Sequence, residues 1–169
     1  VEWVRTLSSS QYKTLQDINV SADGQVIICL YIPNTKLDIY ENGVKVNELN
    51  VIESEVSSSI NYLIYKYNPN TKEDMHKEIH SVGMAYSMTT EATSNGNFIF
   101  TCQIMENECN LIKIHNDKTG EDVIVKGNGS RDQGVVIFDK DMDPIWTFNI
   151  SAAGNNWTDD IIKTPDDGF

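Results

Sequence analysis

The chain has 169 residues and a mass of 19.1 kDa, the size of one ordinary domain that can bury a core unaided. Thirteen basic against twenty-five acidic side chains leave a formal charge of −12 and a pI near 4.5, a field that repels phosphate and argues against nucleic-acid or anionic-membrane binding. A hydrophobic fraction of 40% excludes a disordered acidic tail, and the longest apolar run, Val26 to Ile32, is far short of a membrane span of roughly 20 residues.

The chain opens at Val1 without an initiator Met, which predicts a removed targeting segment or a piece of a longer chain. In chain order, Val26-Ile27-Ile28-Cys29-Leu30-Tyr31, Leu63-Ile64-Tyr65, Asn97-Phe98-Ile99-Phe100-Thr101, Leu111-Ile112-Lys113-Ile114 and Val135-Val136-Ile137-Phe138 are short, β-branched and aromatic. Each is bounded by Gly, Asn, Asp or Pro, the signature of a strand. The dipeptides Asp23-Gly24, Asn42-Gly43, Asn95-Gly96 and Asp167-Gly168 predict tight hairpins of type I′, whose two central residues need positive φ. No window carries a helical stripe, so the chain reads as all-β.

An internal repeat organises these strands. The turns at Asp23-Gly24, Asn95-Gly96 and Asp167-Gly168 stand 72 residues apart, twice over. They follow Trp3-Val4-Arg5-Thr6-Leu7, Met75-His76-Lys77-Glu78-Ile79 and Trp146-Thr147-Phe148-Asn149-Ile150 in turn. Gln25-Val26-Ile27-Ile28 matches Asn97-Phe98-Ile99-Phe100, Leu37-Asp38-Ile39-Tyr40 answers Leu111-Ile112-Lys113-Ile114, and Tyr65-Lys66-Tyr67-Asn68 matches Val136-Ile137-Phe138-Asp139. The expected units are 3–74, 75–145 and the opening of a third at 146–169, each of about six strands.

The stretch Gly134-Val135-Val136-Ile137-Phe138-Asp139-Lys140-Asp141-Met142-Asp143-Pro144-Ile145-Trp146 resembles the bacterial-type β-propeller repeat, in which an apolar strand, an Asp-rich turn and a Trp strand succeed one another. Gly154, Asp159-Asp160-Ile161-Ile162 and Asp166-Asp167-Gly168 continue that resemblance, while Met75 replaces the Trp in the middle unit. The resemblance implies β-propeller-type repeats of antiparallel sheets, radially arranged, each with an added hairpin at its periphery. Propellers close with four to eight blades, and two units with part of a third do not make a ring. The expectation is therefore a part of a longer repeat protein, with a β-sandwich or stacked sheets as the alternative.

Asp139, Asp141 and Asp143 have the alternating spacing with which carboxylates converge on Ca²⁺. Pro144 follows where an EF-hand needs Gly, and the alternative is a solvent-facing turn whose Asx side chains bond their own backbone. Trp157, in the polar run Gly154-Asn155-Asn156-Trp157-Thr158, is the candidate for ligand contact or for a lid on a sheet edge; Tyr31, Tyr40, Tyr62, Tyr65, Tyr67 and Trp146 are further aromatics that would stack on sugars if exposed, and the repeat-position Trp3 and Trp146 are expected instead to pack between blades. Cys102 and Cys109 would face each other across a hairpin turning at Met105 and Glu106, or stay as thiols with Cys29. His76 and His80 fall on one face of a strand about 13 Å apart, too far to share a metal, so with His115 they read as surface imidazoles. Sequons at Asn19, Asn128, Asn149 and Asn156 would matter only in a eukaryotic secretory setting. Thr164-Pro165-Asp166-Asp167-Gly168-Phe169 resembles the Asp-box turn of sialidase-type propellers, a fold element without catalytic meaning.

No nucleophile elbow, phosphate-binding Gly loop or His-Glu-x-x-His is present, and a cofactor other than the possible Ca²⁺ is not expected. The function expected is a non-catalytic structural or protein-interaction module of a larger propeller-like protein at a cell surface, secreted or on a virion. Its partners would be other proteins or further copies or blades, with no nucleic acid and no membrane insertion. The alternative is a lectin-like module that binds glycans through Trp157.

Overall fold

A computed structural model describes residues 3–10, 13–32, 36–50, 59–82, 86–105, 111–127, 131–151, 154, 160–166 and 168. The strands are β1 (Arg5–Ser8), β2 (Thr14–Val20), β3 (Val26–Ile32), β4 (Lys36–Glu41), β5 (Val44–Asn50), β6 (Ser59–Tyr67), β7 (Asp74–Val82), β8 (Tyr86–Ala92), β9 (Phe98–Met105), β10 (Leu111–Asn116), β11 (Glu121–Lys126), β12 (Arg131–Phe138) and β13 (Pro144–Ile150). All pairings are antiparallel, and the described residues contain no helix. The strands form open sheets in the orders β1-β4-β5, β11-β10-β7-β6-β3-β2 and β13-β12-β9-β8, none closed into a barrel.

The repeat is visible in this topology. A four-stranded meander, β2-β3-β6-β7, recurs as β8-β9-β12-β13, and each is interrupted after its second strand by a hairpin, β4–β5 or β10–β11. Each hairpin sits at the outer edge of a sheet, and if the meander is taken as the unit, a frame one strand later than 3–74 and 75–145, that sheet is not the hairpin's own. The hairpin then crosses to the unit before: β10 pairs with β7, and β4 pairs with β1, which takes the place of β7 one repeat earlier. Leu7 stands opposite Ile39 and Ile79 opposite Ile114, so the hairpins correspond with Leu37 matching Ile112, one residue away from the match read in the sequence. The shift follows from the pleat: Leu37, Ile39, Ile112 and Ile114 must all face inward, and all are buried.

Alternation along the strands places the six-stranded sheet between the other two. Ile27, Cys29, Tyr62, Ile64 and Ile79 pack with Phe98, Phe100, Cys102, Ile104, Val136 and Phe138 of the four-stranded sheet. From the opposite face, Leu30, Ile32, Leu63, Tyr65 and Tyr67 meet Leu37, Ile39 and Leu49, with Trp3 and Leu7 against them. Covered on both sides, β3 reads as the continuous apolar run Val26 to Ile32 instead of an alternating one. Phe98 and Phe138 stack at 4.9 Å between centroids, anchoring the second unit.

The turns refine the sequence reading. Of the predicted turns whose residues are described, Asn42-Gly43 alone has positive φ at both residues, 51° and 83°, as type I′ requires, and Asp167 of the fourth lies outside the described residues. At Asp23-Gly24 and Asn95-Gly96 the Gly alone is left-handed, because the Asp or Asn side chain accepts from a hydroxyl two residues earlier, on Ser21 or Thr93. In both, the amide of that Ser or Thr donates to the carbonyl four residues on. Thr164 repeats the pattern, donating to the Gly168 carbonyl at 2.8 Å and from its hydroxyl to Asp166. The residue equivalent to Asp23 and Asn95 is thus Asp166, and the second repeat interval is 71 residues, not 72.

Candidate functional site

The charged side chains that the fold draws inward gather at the joints between units. Arg5 of β1 has only 7% of its side chain exposed. Its Nε donates to the Tyr65 hydroxyl at 2.9 Å, one terminal nitrogen to Glu41 at 2.9 Å, and the other to Asp74. The guanidinium carbon lies 3.8 Å above the centre of the Tyr67 ring, and Tyr67 in turn donates to Glu41. Burial works against the Arg5 charge, but Tyr65 and Asp74 overcome it and hold its pKa above the usual value. Trp3 closes the joint with its ring edge-to-face on Tyr67, 5.3 Å between centroids.

The second joint repeats the first with Lys in place of Arg. Lys77 of β7 has 6% of its side chain exposed and reaches Asp117 at 2.6 Å, Asp143 at 3.4 Å and the His115 carbonyl at 3.1 Å. Glu41 and Asp117 sit at the tips of the two crossing hairpins, and Asp74 and Asp143 lie where the last strand of the following unit begins. One cation on the last strand of a unit therefore binds two carboxylates of the next. The Asp143 carboxylate also accepts from the Asp117 amide at 2.8 Å, tying hairpin tip to strand start. Lys66, buried on β6, adds a bond from its ammonium to the Lys140 carbonyl, and Asn116 donates to the Pro144 carbonyl. On the first strands of the two units, Asp17 accepts from the amide and hydroxyl of Thr90, and Asn19 donates to Glu91.

The candidate Ca²⁺ residues do converge on a positive charge, but that charge is Lys118. Its ammonium contacts Asp139, lies 3.1 Å from Asp141 and 3.7 Å from Asp143. Asp139 also accepts from the amides of Asp141 and Asp143, the Asx arrangement given as the alternative. Burial would raise the Asp139 pKa; Lys118 and those two amides outweigh it and lower it. Among the described residues no group of His, Cys, Asp and Glu is arranged to hold a metal.

Other sequence candidates fare differently. Trp157 and Cys109 lie outside the described residues. Cys102 is buried in β9, and the hairpin that would carry Cys109 opposite it falls on residues 106–110, outside the described residues. Tyr62, Tyr65 and Tyr67 are buried and offer no stacking face to a sugar. His76, His80 and His115 line a depression of about 350 Å³ with Lys77, Glu78 and Asp117. The sequence reading missed His115 there because only the pairing of β7 with β10 brings it beside the other two. A larger groove of about 690 Å³ runs past Arg5, Glu41, Asn47 and Asp74 along the hairpin β4–β5.

Arg5 and Lys77 were legible as a pair only through their 72-residue spacing, since each sits in a strand where a basic residue reads as solvent-facing. No family model, curated protein or solved structure matches this chain.

Proposed function

We propose that this chain is a non-catalytic structural or protein-interaction module of a propeller-like repeat protein, displayed outside the cell or on a virion. The observation that carries the reading is the crossing hairpin: β10–β11 of one unit completes the sheet of the unit before, and the Lys77 joint locks it there. The inward-drawn charge serves cohesion between units, as a scaffold built by repetition requires. Further units or other proteins are the partners this arrangement accommodates.

The test uses the protein from its natural source. A denatured mass well above 19.1 kDa, with Trp146 shielded from hydroxyl-radical oxidation in the native assembly, is the expected result. A native monomer of 19.1 kDa with Trp146 freely oxidised would overturn the reading. The lectin alternative, which rests on Trp157, predicts a hit on a glycan array that Trp157→Ala abolishes.

A further inference from the structure

Three exposed features lie outside the joints already described: the imidazole depression beside β7, the outer edge strands β5 and β11, and the outer edge of β13. The first two have no counterpart that shows what would cover them. The third has one. Among the described residues β13 pairs only with β12, whereas β7, its equivalent, pairs with β6 and with the hairpin strand β10, and β1 pairs with the hairpin strand β4. Register fixes the equivalence: Lys77 lies opposite Ile64 and Ile79 opposite Tyr62, as Phe148 lies opposite Val135 and Ile150 opposite Gln133.

We propose that the open edge of β13 takes the β-hairpin of a third unit of this repeat, the unit whose first turn is built by Thr164, and that Ile150 then stands opposite an apolar residue as Leu7 and Ile79 do. The proposal rests on the repeat reading given above and adds to it the seat and register of one element. Trp146 and Ile150 are 56% and 47% exposed, and Phe148 packs on Trp146 at 4.8 Å. In the first joint the equivalent Trp3 is folded down onto Tyr67 of the following unit, which is the position Trp146 would take against a third unit. Beside the seam, opposite Ile150, Gln133 is buried with neither amide atom hydrogen-bonded, a polar group that an incoming segment would satisfy. Phe148 occupies the place of Arg5 and Lys77, so this joint is apolar where the other two are ionic.

The repeat supplies the test. Gly168 matches Asn97, so residues 99–150 joined directly after Phe169 continue the third unit in frame. The copies of Asp117 and Asp143 are made Asn in this extension, because Phe148 offers them no cation. Amide hydrogen exchange is read at 148–151 in the 169-residue chain, in the extended chain, and in an extended chain whose copy of residues 106–130 is replaced by a Gly/Ser linker. The expected result is slowing of about 100-fold in the extended chain only. A folded extension, shown by slow exchange in its copy of β12, that leaves residues 148–151 unprotected would overturn the hairpin seat while leaving the repeat reading intact. Concentration-dependent protection in the 169-residue chain alone would also overturn it, in favour of a second copy at this edge. Should the extension not fold, a cyclised peptide of residues 111–126, with the same Asp117→Asn change, is titrated into the 169-residue chain. Saturable amide shifts confined to β13 support the proposal, and their absence refutes it.

Discussion

Replacing Lys77 by Met removes the ammonium that holds the second joint while keeping most of the side chain's volume. Asp143, 3.4 Å away and with 5% of its side chain exposed, is then left as a carboxylate inside the protein. Coulomb's law at an effective dielectric of about 20 puts the lost attraction near 5 kcal/mol. Lys118, 3.7 Å from the other Asp143 oxygen and half exposed, compensates part of it, and Asp117, at 70% exposed, simply returns to water. The expected net loss is about 3 kcal/mol, the lower end for breaking one partner of a buried pair. Asp143→Asn keeps an acceptor for the Asp117 amide, so Lys77→Met combined with Asp143→Asn should recover most of that loss. The assay is urea unfolding followed by circular dichroism on the four members of the double-mutant cycle. A Lys77→Met cost under 1 kcal/mol, or a coupling between the two changes near zero, would refute the claim that this pair cements the units.

Stability should fall with acid in two stages. Burial depresses the pKa of His76 and of His80 below the ordinary 6.5, so the unfolded chain binds protons first, and the stabilisation, complete above 6.5, declines as pH drops through the lower folded values. Asp117, held down chiefly by its bond from Lys77, and Asp139 add a second decline below about pH 4; urea titrations from pH 8 to 3 that stay flat between 8 and 5 would refute the first stage. Gly134 leaves no room for a side chain, since an added Cβ would sit 2.8 Å from Ile104 and 3.2 Å from Val125; Gly134→Val should cost about 3 kcal/mol by overpacking, against little change for Gly24→Ser beyond the strain of its positive φ, since the added Cβ there meets nothing within 4 Å among the described residues. Because the Lys118 ammonium already sits among the Asp139, Asp141 and Asp143 carboxylates, Ca²⁺ or a chelator should leave the melting temperature unchanged, and a rise of several degrees with Ca²⁺ would show that the metal displaces the ammonium.

The strands were legible because the signals that make them are local. The run Val26 to Ile32 reads as a strand through its β-branched residues and the turn residues that bound it, and the Asn42-Gly43 turn carries its left-handed geometry in its composition. The order of the meanders was legible too, since the repeat places like strands in like positions. The owner of each hairpin was not. Nothing in Leu111 to Asn116 distinguishes an edge on β9 from an edge on β7, because an alternating amphipathic strand satisfies either equally well. The joints followed from that gap: Arg5 meets Asp74 across 69 positions and Lys77 meets Asp143 across 66, distances at which residue type alone carries no pairing information. The Asp139 turn shows the same gap, since the alternating spacing of its carboxylates gives no sign of Lys118, which reaches them from another hairpin.

The three positions Arg5, Lys77 and Phe148 order the joints by chemistry. At the first, a planar guanidinium bridges two acids, one tyrosine hydroxyl and the ring face of a second tyrosine, a fixed fork that an ammonium cannot present. At the second, Lys77 meets the same two-carboxylate arrangement as a point charge, with a backbone carbonyl taking the place of the tyrosines. At the third, Phe148 removes the charge, so hydrophobic burial of Trp146, Phe148 and Ile150 is the force left to hold a neighbour. The joints should therefore part company under acid. Arg5 loses Glu41 and Lys77 loses Asp117 as these two carboxylates take up protons, and a seam built on Phe148 has no such partner to lose. Because Glu41 and Asp117 are held below their ordinary values, amide exchange well below pH 4 should open β4 and β10 from their neighbours before it opens a hairpin seated on β13. Simultaneous opening of all three would mean that the ion pairs do not set the strength of the joints, and that the packed faces of the sheets do.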